Sequence, residues 1–142
     1  LRGIEDKNLL FGKLNILPLI CYEVIFSDLI QKSDVDTNLV VNISEDGWFG
    51  DSIGPDQHFV KSIFRAVENG TFLIRSTNKG VSAIIDNKGN IIKQLNRNEA
   101  GNIELEVPLI KSNKIKNDLI FFTLLITYLL IFFVNMKKYV KK

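Results

Sequence analysis

The stretch Asn15–Phe26, NILPLICYEVIF, changes its periodicity in the middle. LNILPLICY is a short apolar run of strand length. EVIFSDLIQK follows a different rhythm, with Val24, Ile25, Asp28, Leu29 and Lys32 at helical spacing and the apolar residues on one side. A strand that runs straight into a helix begins an α/β unit, so this stretch sets the fold class. The joint carries Cys21, the only cysteine in the chain. Free cysteine is among the most buried residue types, which makes a small core hydrophobe one reading. A thiol at a strand-to-helix joint also faces the unpaired N–H groups and positive end of the helix, which favour a thiolate and offer donors to an oxyanion. That makes a nucleophile the other. Glu23, two residues on, fits a positioning role through hydrogen bonds.

Outward from this joint the pattern repeats. TNLVVNIS, Thr37–Ser44, is rich in β-branched residues and reads as a second buried strand. EDGWFGDSIGP, dense in Gly and Pro, is a loop. DQHFVKSIFRAVENG is an amphipathic helix: Phe59, Ile63, Ala66 and Val67 share a face, with Asp56 at the N-cap and Gly70 at the C-terminal cap. His58, the sole histidine, reads as a cap or surface residue near the helix start, with a Cys–His dyad as the alternative. TFLIRST is a third strand, and GVSAIIDNKGNIIKQL a hairpin turning at DNKGN. GNIELEVPLI alternates as an edge strand would. Strand–helix alternation closed by a hairpin predicts a layered α/β sandwich with five or six strands.

Charge and hydropathy divide the chain differently. Net charge is +2, but Lys137, Lys138, Lys141 and Lys142 crowd the last six of 142 residues. The remainder is near neutral, which excludes a nucleic-acid groove. One cysteine excludes an internal disulfide and a Cys-based zinc cluster. Leu119–Met136, LIFFTLLITYLLIFFVNM, holds no charge across 18 residues. As a helix it rises about 27 Å, close to the roughly 30 Å hydrocarbon core of a bilayer. Core helices seldom run so far without a polar face, so a membrane span is expected. The lysines after it favour a cytoplasmic tail and a globular part on the other side. The expected division is a catalytic portion over 1–110, a linker over 111–118, the span over 119–136 and a basic cytoplasmic tail over 137–142.

ICYEVIFSD, NISEDGWFGDSIGPDQHF, RAVENG and LIRSTNKGVSAIID stand in one order and spacing. Together they resemble the apolipoprotein N-acyltransferases, a membrane branch of the nitrilase (carbon–nitrogen hydrolase) superfamily. The resemblance covers about Leu14–Leu95 and the closing apolar helix. It implies a partial nitrilase-like αββα sandwich followed by one C-terminal transmembrane helix, on the outer side of a bacterial cytoplasmic membrane. It also implies a Glu–Lys–Cys triad, with no cofactor and no metal. The thiolate would take an acyl chain from a phospholipid donor as a thioester. The N-terminal amine of a diacylglyceryl-cysteine lipoprotein would then accept it. On this resemblance Cys21 is the nucleophile, and Tyr22 and Glu23 match neighbouring positions needed for activity. Trp48 and Phe49 match an aromatic pair near the pocket, with a buried loop anchor as the alternative. Arg75 and Asn78 match strand-end positions that sheet structure also explains.

Two departures stand out. Glu45 occupies a position that is usually Asn in the family, and only 20 residues precede Cys21. The family's base Glu and its Lys lie well upstream, and Glu5, Lys7 and Lys13 match none of their contexts. The chain is therefore expected to be the C-terminal portion of such an enzyme and inactive alone. A membrane-anchored nitrilase-type amidase and an inactive split or decayed gene product are the alternatives.

Overall fold

Strand β2, Leu14–Ile20, buries Asn15, Leu17 and Leu19 on one face and half-buries Leu14, Ile16 and Pro18 on the other. The computed structural model describes residues 8–31, 36–113 and 117–140. In it β2 pairs in parallel with β3, Leu39–Glu45, and β3 in parallel with β4, Phe72–Asn78. β1, Leu9–Phe11, is antiparallel to β2. β5, Ser82–Ile85, and β6, Ile91–Leu95, form the predicted hairpin and extend the sheet beyond β4. The six strands lie side by side in chain order.

That order places the layers. Strand order never reverses along β2–β3–β4, so right-handed crossovers put both helices on the same face. They are α1, Ser27–Gln31, and α2, Gly54–Asn69. Leu17, Leu19, Val40, Leu73 and Ile85 of the sheet pack there with Val24, Ile30, Phe59 and Ala66. The opposite face is crossed by an irregular segment, whose Ile103, Val107 and Ile110 pack against Leu39, Phe72 and Ile84. Ile20 and Ile43, partners in register, remain 55 % exposed on it. The result is a mixed α/β sheet with one complete helical layer.

Several expectations change. GNIELEVPLI forms no strand; its Ile103, Val107 and Ile110 pack on the sheet face instead of joining its edge, while Leu105 and Leu109 stay exposed. The three-residue β1 lacked a run long enough to announce it. The helix expected over EVIFSDLIQK is a five-residue 3-10 turn, Cys21–Ile25, then an extended Phe26, then α1. Val24 is fully buried, and the tight turn swings it back onto the core. Lys32 lies outside the described residues. Helix α2 starts two residues earlier than expected, because Pro55 needs no hydrogen-bond partner for its nitrogen in the first turn. Asp56 is therefore not the N-cap but a first-turn carboxylate, where the helix dipole favours it. Gly70 ends the helix in the left-handed region, φ 70°, as expected.

Helix α3 runs Asn117–Val140. Its residues 120–133 are all exposed and uncharged. Among the described residues no helix is long and apolar enough to cross a membrane. The span expected over Leu119–Met136 is thus not shown. The side chains of Leu119, Val134 and Asn135 lie outside the described residues, as do 114–116 of the linker and Lys141 and Lys142 of the tail.

Candidate active site

Parallel strands deliver their functional loops at the carboxyl ends. Here β3 and β4 end in register at Glu45 and Asn78, and β2 ends two residues earlier at Ile20, opposite Ile43, so Cys21, the loop from Asp46 and Lys79 leave the same end of the sheet. Cys21 has φ 48°, a left-handed conformation that costs an L-residue about 1–2 kcal/mol. Such strain in a non-glycine residue persists only where its surroundings enforce it, and it concentrates at functional sites. The helix N-terminus expected behind the thiol is only the single 3-10 turn. The Glu23 carboxylate accepts the Ile20 N–H at 2.8 Å and so closes the elbow across Cys21.

Beneath the elbow lies a buried polar cluster. Asn42 and Arg75 are partners in register on the helix-covered face, where apolar side chains otherwise meet. Arg75 donates from Nη2 to Asp46 Oδ2 at 2.7 Å, and both side chains are 0 % exposed. Its Nη1 donates to Ser62 Oγ at 3.1 Å and to Asn42 Oδ1. Asp46 Oδ1 accepts from Ser44 Oγ at 2.7 Å and lies 2.9 Å from His58 Nδ1. Facing a carboxylate oxygen, Nδ1 must carry the imidazole proton. Burial opposes the charge on Asp46, but hydrogen bonds from His58 and Ser44 and the Arg75 cation outweigh it. The carboxyl is held below its usual range. Burial draws Arg75 below the ordinary arginine value against the pull of Asp46. Arginine nonetheless stays a cation in proteins.

Two arms reach from this cluster to the elbow. Asn42 Nδ2 donates to the carbonyls of Leu19, at 2.8 Å, and Cys21, at 3.5 Å. Ser44 Oγ stands 3.7 Å from Cys21 Sγ. The strained residue is gripped through its backbone and touched at its sulfur.

Aromatic residues roof the cluster. His58 is buried, not on the surface as its place near a helix start implied, because it shares the inward face of α2 with Ser62, Arg65 and Asn69. The rings of Tyr22 and Phe49 approach it at 5.9 and 5.4 Å. Tyr22 is half exposed and Phe49 partly buried, while Trp48 stands 87 % exposed beside them. Glu45 accepts the Gly47 N–H at 2.7 Å and also bonds Asn78 across the strands, so this acid secures the loop. Among the described residues no group of three or more His, Cys, Asp or Glu could hold a metal ion. A cavity of about 1060 Å³ opens elsewhere, between β4, β5 and residues 98–106, and Cys21 does not line it.

Of the residues singled out from the sequence, the structure brings Cys21, Tyr22, Glu23 and Phe49 to one end of the sheet and leaves Trp48 exposed. Sequence reasoning missed Asn42, Ser44, Asp46 and Ser62, and took Arg75 for a sheet residue. A signal existed: Asn42 and Ser44 share the inward parity of Val40, and Arg75 that of Leu73. On α2, His58, Ser62, Arg65 and Asn69 form a buried stripe at helical spacing beside the apolar one.

The chain belongs to the carbon–nitrogen hydrolase family, whose sequence profile matches residues 7–117. It is 48 % identical over 95 residues to the apolipoprotein N-acyltransferase of Rickettsia typhi, covering 67 % of this chain and 19 % of that protein. To the Rickettsia bellii apolipoprotein N-acyltransferase it is 42 % identical over 127 residues, 86 % of this chain and 25 % of that one. The chain thus spans a fifth to a quarter of the length of these curated relatives. Its fold is similar to that of a carbon–nitrogen hydrolase from Helicobacter pylori, with TM-score 0.60 at 11 % identity, over 69 % of this chain and 42 % of that one.

Proposed function

We propose that the chain supplies the nucleophile-bearing part of an apolipoprotein N-acyltransferase. The observation that carries this reading is the left-handed Cys21, clamped by Asn42 and Glu23 at the sheet edge. In the proposed reaction the Cys21 thiolate attacks an acyl ester carbonyl of a phospholipid, and the lysophospholipid alkoxide leaves with a proton. The resulting thioester is then attacked by the free amine of a diacylglyceryl-cysteine lipoprotein, which forms the amide and restores the thiol. Tyr22 and Glu23 fix the elbow, and Trp48 and Phe49 offer apolar area to acyl chains. On this reading the base Glu and the Lys are supplied by residues other than these, and acylation of Cys21 is expected to depend on them.

Helix α3 supports a membrane setting. An exposed, uncharged stretch over 120–133 has no stable place in water, and Leu119–Met136 matches a bilayer in length. The globular part then lies on the outer face of the cytoplasmic membrane, and the lysines after the helix lie inside.

The test couples two assays. The chain is expressed in membranes with the remaining portion of a curated relative, which supplies the Glu and Lys, and with phospholipid carrying a labelled acyl chain. A hydroxylamine-labile label on Cys21, followed by transfer to lipoprotein amines, is expected. The chain without that portion should take no label. Ammonia release from small amides with no acyl adduct would overturn the reading in favour of an amidase.

A further inference from the structure

Ser44 has one proton and two neighbours that could take it. Asp46 Oδ1 is 2.7 Å away and Cys21 Sγ 3.7 Å away. Asp46 is ionised and pinned by Arg75 and His58, and a charge-assisted O–H···O⁻ bond of that length is far stronger than any contact to sulfur. The Ser44 proton is therefore committed to the carboxylate.

From this geometry we infer that Ser44 is a positioning residue for Cys21, acting by presenting a lone pair rather than a proton to the sulfur. The thiol is the donor in this contact. Its S–H points toward Ser44 on β3, which turns the sulfur lone pairs away from that strand and leaves them for a carbonyl carbon. Once the thiol proton is lost, Ser44 has no proton to return. The thiolate then accepts no hydrogen bond from Ser44, and a thiolate with one donor fewer is the better nucleophile. The buried Asp46–Arg75 pair thus reaches the reacting atom through one hydroxyl. The inference deepens the reading of Cys21 as nucleophile and rests on it for its functional meaning, though not for its geometry.

The chain has a single cysteine, so its infrared S–H stretching band reports this one contact. In the full chain held in detergent micelles, the wild-type band is expected at lower wavenumber than that of Ser44→Ala. Ser44→Thr, which keeps the hydroxyl, is expected to hold the wild-type position. Coincident bands in wild type and Ser44→Ala would overturn the inference, as would a Ser44→Thr band at the alanine position. The labelled-lipid assay separates the two readings. An unmoved band with an acyl adduct on Cys21 removes the role of Ser44 and spares the nucleophile. A shifted band with no adduct in the reconstituted enzyme removes the nucleophile and leaves the contact standing.

Discussion

Asp46→Asn keeps the shape of the side chain and removes its charge. Arg75 would be left as a cation with 0 % of its side chain exposed and its ion-pair partner gone. Breaking a buried pair by removing one partner costs about 3–5 kcal/mol, because the survivor stays desolvated without compensation. A small domain has only about 5–15 kcal/mol in total, so the loss is severe without abolishing the fold outright. Each 1.4 kcal/mol is about tenfold in an equilibrium constant, so the protected amides of β3 and β4 should exchange roughly 10²–10⁴-fold faster. Hydrogen exchange read by mass spectrometry on peptides covering Leu39–Glu45 and Phe72–Asn78 measures this in micelles, undisturbed by signal from α3. Arg75→Met should cost a similar amount for the mirror reason. The double variant should cost less than the sum, since a neutral pair strands no charge. Exchange in Asp46→Asn within threefold of wild type would refute the argument, as would strict additivity in the double variant.

Three further predictions use the same cluster and elbow. Because the folded Asp46 carboxyl is held below its unfolded value of about 3.9, its stabilisation is full above that pH and fades as pH falls through the folded value. Acid titration of wild type should show this loss below about pH 4, and Asp46→Asn should flatten it. Cys21→Gly relieves the left-handed strain and should raise the unfolding midpoint by the equivalent of up to about 1 kcal/mol while abolishing the acyl adduct; a lowered midpoint would count against enforced strain. A Cβ at Gly80 would meet the Asp46 carboxylate, so Gly80→Ala should destabilise by about 1–3 kcal/mol, whereas unchanged exchange in β3 would show that the carboxylate has room to move.

What the sequence by itself determined is local in origin. The period-2 runs around Leu17, Val40 and Leu73, the period-3.6 run of α2, the turn residues before β6 and the left-handed Gly70 each follow from the shape of a few neighbouring residues. Chain order with right-handed crossovers then dictates one helical layer. The elbow at Cys21 was legible as a joint, because a strand pattern meets a turn there. Its left-handed backbone was not, since nothing in CYE itself demands it. Asn42 and Glu23 impose that conformation.

Only the tertiary structure decided the polar cluster, and the reason is physical. A buried Arg, Asp or Asn is tolerated only when its partners are supplied, and here they come from β3, the loop after it, α2 and β4 at once. No local window contains that balance. His58 looked like a surface residue from its place near a helix start, and the packing of the α2 face it shares with Ser62 and Asn69 turned it inward. GNIELEVPLI alternates like a strand, yet which surface takes its apolar side chains depended on a sheet face left without helices. The sequence specified where each element lies and which way its side chains alternate. The packing of three strand ends against one helix determined that a strained thiol would stand over an ion pair.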